Sequence, residues 1–407
     1  MKRRNFIKTT AAGSAILMTP GAFAFGNSVS QNNYKYGFQS ERRIPVAYDV
    51  DVVIVGGTSA AVAAATAAAK QGVSVFLAAP HPYLGEDICG TYRLWAENEK
   101  ATGTELGKKI FGAGLPTPMH VKKTLDNELI DNEINFLYSS YVIDVVHDNE
   151  GHPAGVIISN RSGRQAIKAK VVIDASARGL VARMAGAGFS EYPAGKQEFR
   201  YIVVGNQPKN IANGKVRKLP QPVIFKNKTY EALEYTLLLD MQNDSWESFC
   251  KAEHEARDLT WDPGQVDAGD LLFQVSPDFI SGKEKWNQPQ VDAERTNLGS
   301  FQPKNTERLF VLSGMADVHR DAVSELLQPG LLIHMGERIG RAAAEMAESI
   351  VPAKEFHVKG LVEGESFPGD VGEILEGLRP SFNLGELTSE ETTLPVLGSF
   401  DVVVLGG

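Results

Sequence analysis

Four hydrophobic patterns follow one another along the chain. The first is an unbroken β-branched run, Val52 to Val55, as expected of a strand buried on both faces of a parallel sheet. Gly56, Gly57, Thr58 and Ser59 then read as a turn. Residues 59–70 hold eight alanines, a strong helix signal. Gly72 suits the helix end, and Val73 to Leu77 supply the next strand. The pattern predicts a βαβ unit with a glycine turn at the start of its helix. The second pattern, residues 134–179, is a series of short strands ("YVIDVV", "GVIIS", "AIKAKVVIDAS") broken by glycine turns. It predicts a three-stranded meander whose last strand ends at Asp174-Ala175-Ser176. The third, residues 191–304, alternates apolar and polar positions in "FRYIVVG", "YTLLLDM" and "LLFQV", which suits a second sheet. The fourth is a strand at Leu309–Leu312, a turn at Gly314, and a helix starting at Pro329-Gly330. Met335, Gly336, Gly340 and the following alanines give that helix one face of small residues.

Such a βαβ start suits phosphate. Free backbone N–H groups and the positive end of the helix meet an anion there. A glycine at the turn lets the chain double back beside it. Set against G-x-G-x-x-G, Gly56 takes the first position, Thr58 the second glycine's place and Ala61 the third's. The Thr58 hydroxyl is a further donor. Ala78 and Ala79 stand where an acidic residue would hold a ribose.

The G-G-T-x-A motif at Gly56, the return strand "VVIDAS" and the strand–turn–helix of residues 309–347 together resemble the FAD-dependent oxidoreductases with the glutathione-reductase-like fold. The resemblance covers roughly residues 48–190 and 305–350. It implies an α/β fold: a Rossmann-like FAD-binding domain of parallel sheet plus β-meander, in two parts, with an inserted α+β substrate domain at 191–304. It implies FAD as cofactor, with Gly56, Gly57, Thr58, Ser59 and Ala61 at the pyrophosphate. Gly85 and Glu86, and Asp87 with them, would meet phosphate or ribityl hydroxyls. Asp174, Gly314, Asp317 and Gly330 would complete the cofactor's surroundings, Asp317 as acceptor for a ribityl hydroxyl and Asp174 chiefly fixing the backbone. Arg93, which could stabilise an oxyanion, and His319, which could move a proton near neutral pH, are the catalytic candidates. Cys89 could sit near the ring, and His81 could be an attachment point.

The N-terminus adds an address. Arg3 and Arg4, the apolar "AAGSAILM" and Ala22-Phe23-Ala24 resemble a twin-arginine signal peptide over residues 1–24, which predicts periplasmic export of a folded, cofactor-loaded protein. Residues 1–24 carry Lys2, Arg3, Arg4 and Lys8 and no acid, so the remaining chain has 37 basic and 50 acidic side chains and a net charge of −13. That argues against nucleic acid and anionic membrane surfaces as partners, and no apolar run marks an integral membrane protein. Cys89 and Cys250 are too few for a disulfide framework, although one bridge is open to them; no metal-ligand pattern is present.

The expected activity is hydride transfer between a small organic substrate and flavin. Outside the cytoplasm, a quinone, a redox protein or oxygen is the expected onward acceptor. A flavin enzyme without net redox, an isomerase or hydratase, is the alternative, as is a binding module that has lost its cofactor. Residues 351–398, with Pro352, Pro368, Pro380 and Pro395, read as a connection. Residues 399–407, "SFDVVVLGG", repeat "DVVIVGG" of residues 51–57 and read as the start of a second, truncated nucleotide-binding unit.

Overall fold

The computed structural model describes residues 36–39, 41–95, 102–205, 207–211, 214–358, 386–396 and 400–404. The signal sequence expected at 1–24 lies outside the described residues. In chain order the first domain opens with β1 (Tyr36–Gln39), β2 (Arg42–Val55), α1 (Ser59–Ala69) and β3 (Val75–Ala78). Helices α2 (Glu105–Phe111) and α3 (Pro118–Asp131) follow, then β4 (Asn135–Leu137) and the meander β5 (Tyr141–Asp148), β6 (Pro153–Asn160) and β7 (Gly163–Asp174). After α4 (Leu180–Met184) comes the second domain. It holds β8 (Gly195–Gly205), β9 (Gly214–Lys218), β10 (Val223–Phe225), β11 (Lys228–Met241), α5 (Trp246–Thr260), β12 (Asp267–Ala268) and β13 (Phe273–Gln274). The chain returns through β14 (Leu309–Val311), α6 (Arg320–Leu326) and α7 (Pro329–Ser349), and ends with β15 (Phe356–Val358), β16 (Glu386–Ser389) and β17 (Thr392–Pro395).

Five strands run parallel in the order β4-β3-β2-β7-β14. Their register puts Leu137, Ala78, Val55, Asp174 and Val311 in one row at the carboxyl edge. The connections after β2, β3, β7 and β14 leave from that row, the edge at which open α/β sheets bind ligands. Val52 to Val55 are at most 4% exposed, which is why the run is apolar without alternation. Helix α1 is buried nearly all round. Only small residues let it lie flat between the sheet and α7: Cβ atoms at Gly336 and Gly340 would come within 2.4 Å of the Ala60 carbonyl oxygen and 2.2 Å of the Ala64 carbonyl oxygen.

The other sheet joins β10, β11, β8 and β12, with β13 on β8 and β9 on β11. Its inner face packs on α5 through Phe199, Leu237, Leu239, Phe249 and Ala256. The resulting α+β unit stands on the carboxyl side of the first domain, where β12 and the loop after it touch the chain around Gly90.

Residues 351–358 and 386–396, within the stretch that reads as a connection, hold three short strands. Strand β15 pairs antiparallel with β5, β16 pairs antiparallel with Arg42–Pro45 of β2, and β15 and β16 pair with each other in parallel. With β7 and β6 they close a ring of six strands around Ile44, Val46, Val146, Ile157, Ala166, Val358 and Leu387. The physical reason is edge coverage: β2 and β5 each leave a row of backbone groups that a short strand satisfies. The domain therefore starts at Arg42, earlier than residue 48. Strand β17 pairs with β1. Residues 400–404 form no strand, and Val402, Val403 and Val404 are 78%, 65% and 82% exposed.

Candidate functional site

The site begins where β2 stops. Gly56 has φ +121°, and a Cβ there would lie 2.7 Å from the Ala175 carbonyl oxygen. Only glycine tolerates both the conformation and the approach. Its N–H donates to Ala78 (2.9 Å), tying the turn to β3. Thr58 then caps α1, its hydroxyl accepting from the Ala61 N–H at 3.0 Å.

The loop after β3 folds back over this helix start. The Gly85 N–H donates to the Gly57 carbonyl at 2.6 Å. Asp87 accepts from the Ser59 N–H (2.8 Å) and from the Ser59 hydroxyl (2.5 Å). One Glu86 oxygen, Oε1, accepts a long bond from the Gly57 N–H (3.4 Å). The other, Oε2, is buried with no hydrogen bond, 3.5 Å from His81 Nε2. Burial, with the Asp87 charge beside it, pushes the Glu86 carboxyl up to about 8. Burial lowers His81. Both shifts favour the neutral forms, so this contact is not an ion pair at neutral pH. Desolvation also raises Asp87, against the bonds from Ser59 and the pull of Arg93.

Arg93 leaves this loop toward the second domain. Its Nη1 donates to the Leu327 carbonyl (3.0 Å), two residues before α7, and its guanidinium lies 3.9 Å over the Phe273 ring. With Trp95, Arg200, Ile202, Leu219 and Glu234 it lines a small pocket between the two domains. Helix α7 starts with Pro329 at its first position and has no side-chain cap, so its N-terminal dipole is unneutralised. Pro329 and Gly330 are buried.

Asp174, Gly314 and His319 make contacts within the scaffold, whereas Asp317 keeps one buried oxygen without a hydrogen bond. Asp174, expected beside the cofactor chiefly to fix the backbone, is fully buried with both oxygens turned inward. It accepts from the Ser176 N–H and hydroxyl and from the Ala182 N–H, which fixes α4 on β7. Gly314 packs on α6, where a Cβ would meet Leu327 at 3.0 Å. His319 caps α6, its Nδ1 accepting from the Asp321 N–H at 3.4 Å, and its side chain is 42% exposed. Asp317 is 8% exposed; Oδ2 accepts from the Gly282 N–H (3.1 Å) and Oδ1 has no hydrogen bond. Cys89 and Cys250 are free thiols, so the bridge open to them does not form. Burial raises Cys89 to about 12, which leaves it a protonated, unreactive thiol at neutral pH.

Sequence reasoning missed how the loop is anchored. The Tyr83 hydroxyl donates to Asp270 (3.0 Å) and the Tyr92 hydroxyl to Asp267 (3.2 Å), tying it to the second domain. Arg320 donates to the carbonyls of Ser276, Gly314, Ala316 and Val318 and lies over Phe279. No short motif marks Tyr83–Asp270, Tyr92–Asp267 or Arg320–Ser276, which lie 187, 175 and 44 residues apart. Among the described residues no group of His, Cys, Asp and Glu could hold a metal.

The family model of FAD dependent oxidoreductases matches residues 51–308, which takes in the glycine turn, the meander and the whole second domain. The chain belongs to that family. FAD is the family's cofactor, and the protein is an enzyme of the oxidoreductase class. No curated protein matches the chain. Solved structures similar to it include a geranylgeranyl bacteriochlorophyll reductase-like protein of Thermoplasma acidophilum (14% identity, 74% of this chain and 79% of that one, TM-score 0.47). The flavin-dependent brominase Bmp2 also aligns with it (14%, 74% and 80%, TM-score 0.45). L-proline dehydrogenase of P. horikoshii is more distant (10%, 74% and 93%, TM-score 0.40). The architecture of this FAD dependent oxidoreductase fits its cofactor: a tight glycine turn, two helix N-termini at one sheet edge, and buried unpaired oxygens on Glu86 and Asp317. Gly56 to Ser59 are the residues that would hold the pyrophosphate, and the uncapped start of α7 is the group that would face the flavin.

Proposed function

We propose that this FAD dependent oxidoreductase is exported and acts on a small organic substrate bearing a carboxylate or a developing oxyanion. Bound FAD supplies the acceptor for a hydride taken from that substrate. The observation that carries the reading is the place of Arg93, bonded to the turn that opens α7 and lining the interdomain pocket with Arg200. Two guanidiniums there offer planar, permanently charged donors to an anionic group. Trp95, bonded through Nε1 to the Gln221 carbonyl (3.0 Å), forms an apolar wall. The pocket is only about 20 Å³ and is also lined by Glu234, so it would admit no more than the anionic end of a substrate. Arg93 orients the anion and stabilises charge that develops on it. The extracytoplasmic address, where a pyridine nucleotide is a poor acceptor, favours a quinone, a redox protein or oxygen as onward acceptor.

Export rests on Arg3, Arg4 and the Ala22-Phe23-Ala24 site. Changing both arginines to lysine should hold the precursor in the cytoplasm; mature protein in the periplasm of that variant would refute the route. For the reaction, the loaded enzyme is mixed anaerobically with small hydroxy, amino and carboxylic acids. Bleaching of the flavin with loss of substrate is the expected result, and Arg93→Ala should slow it by about a hundredfold, the size of a lost charge-stabilising donor. Substrate turnover without bleaching would instead identify a flavin enzyme with no net redox.

A further inference from the structure

We propose that Glu86 meets the dinucleotide as a neutral acid, so that FAD affinity is linked to one proton on this side chain. The proposal rests on the cofactor reading above and concerns the regulation of that same site. Glu86 sits at the glycine turn: Oε1 accepts from the Gly57 N–H, and Oε2 lies 3.5 Å from where a Gly57 Cβ would be. It is 8% exposed, and Oε2 has no hydrogen bond. An ionised carboxylate in that place would face a pyrophosphate across the start of α1 from a buried position, where like charges repel strongly. A protonated one removes the repulsion and offers an O–H to a phosphate oxygen.

The surroundings favour the neutral form. On its own loop Glu86 is faced by Asp87, by His81 and by Tyr83. Asp270 of the second domain binds the Tyr83 hydroxyl, and Lys122 of α3 lies 3.8 Å over the Tyr83 ring. Cys89 is protonated, and Arg93 acts on Asp87. Helix α1 presents hydroxyls, Thr58 and Ser59, and no charge. Burial, and after it the neighbouring Asp87 carboxyl, raises Glu86 to about 8. Binding FAD above that pH takes up one proton.

The test is FAD affinity of the apoprotein of the full chain, read by quenching of flavin fluorescence from about pH 6 to about pH 9.5. Circular dichroism at each pH checks the fold. The dissociation constant should be flat at low pH and rise above about pH 8, approaching tenfold per pH unit for one linked proton. Glu86→Gln keeps shape and neutrality and should abolish the rise. Asp87→Asn removes the like charge, lowers the Glu86 pKa and should start the rise at a lower pH. An affinity without pH dependence in the parent protein, or an undiminished rise in Glu86→Gln, overturns the proposal while leaving the cofactor reading intact. FAD binding to no variant at any pH overturns both.

Discussion

Gly56 and Glu86 carry the two residue-scale expectations. At Gly56 the positive φ and the 2.7 Å approach to the Ala175 carbonyl act together. Gly56→Val forces the turn away from β7, with backbone strain of roughly 1–3 kcal/mol before any clash is counted. The purified variant should lose flavin, measured as FAD released per chain. Full flavin content would show that the cofactor lies elsewhere. Glu86 bears on stability as well as on binding. Its folded pKa lies above the ordinary carboxylate value, so unfolding releases its proton between about pH 4.5 and 8, and the apoprotein loses stability as pH rises through that window. Glu86→Gln removes the penalty. At pH 7 the gain in unfolding free energy should be on the order of 2–3 kcal/mol, and below about pH 4.5 it should vanish. A denaturant titration at both pH values checks it; an equal effect at both would mean that the carboxyl ionises normally.

At the scale of elements, the contact of α1 with α7 and the closure of the six-stranded ring bear the load. Gly340→Ala places a Cβ against the Ala64 carbonyl, 2.2 Å away in the undisturbed structure, and the helices must separate. A loss of about 2–3 kcal/mol in denaturant unfolding is expected, as for an overpacked core; a change below about 0.5 kcal/mol would mean the interface is loose. The ring makes an opposite kind of claim about a segment that reads as a linker. Leu387 is 4% exposed inside it, so Leu387→Ala should cost about 2–3 kcal/mol, whereas a linker residue would cost almost nothing. What the sequence made legible follows the same physics. The glycine turn, the alanine helix and the meander are local patterns, and they read correctly as an α/β fold. Strands β15 and β16 are three and four residues long, too short to carry periodicity, and they exist only because two distant edges needed partners. The site divides in the same way. Gly56 to Ser59 sit at the start of α1 because a turn is a local structure. Glu86 reaches Gly57 across 29 residues and Tyr83 reaches Asp270 across 187, distances at which no spacing rule applies. Asp174 reads as a residue that fixes the backbone, and in the fold it does so at the start of α4; the cap that His319 Nδ1 makes on α6 carries no comparable local signal.

For the whole molecule, two domains meet over one sheet edge, and the loop of residues 83–95 is tied to both. It bonds α1 through Asp87, the turn before α7 through Arg93, and the second domain through Tyr83 and Tyr92. Among the described residues no helix is long and apolar enough to cross a membrane. The central claim is that this architecture holds FAD and uses it, and the most direct measurement is the flavin content of the purified full-length protein at about pH 7. The absorption spectrum is recorded before and after anaerobic reduction, and the released cofactor is identified by chromatography. The account predicts a yellow protein carrying about one FAD per chain, bleached on reduction, with Gly56→Val colourless. A folded, colourless parent protein that takes up no added FAD would contradict it.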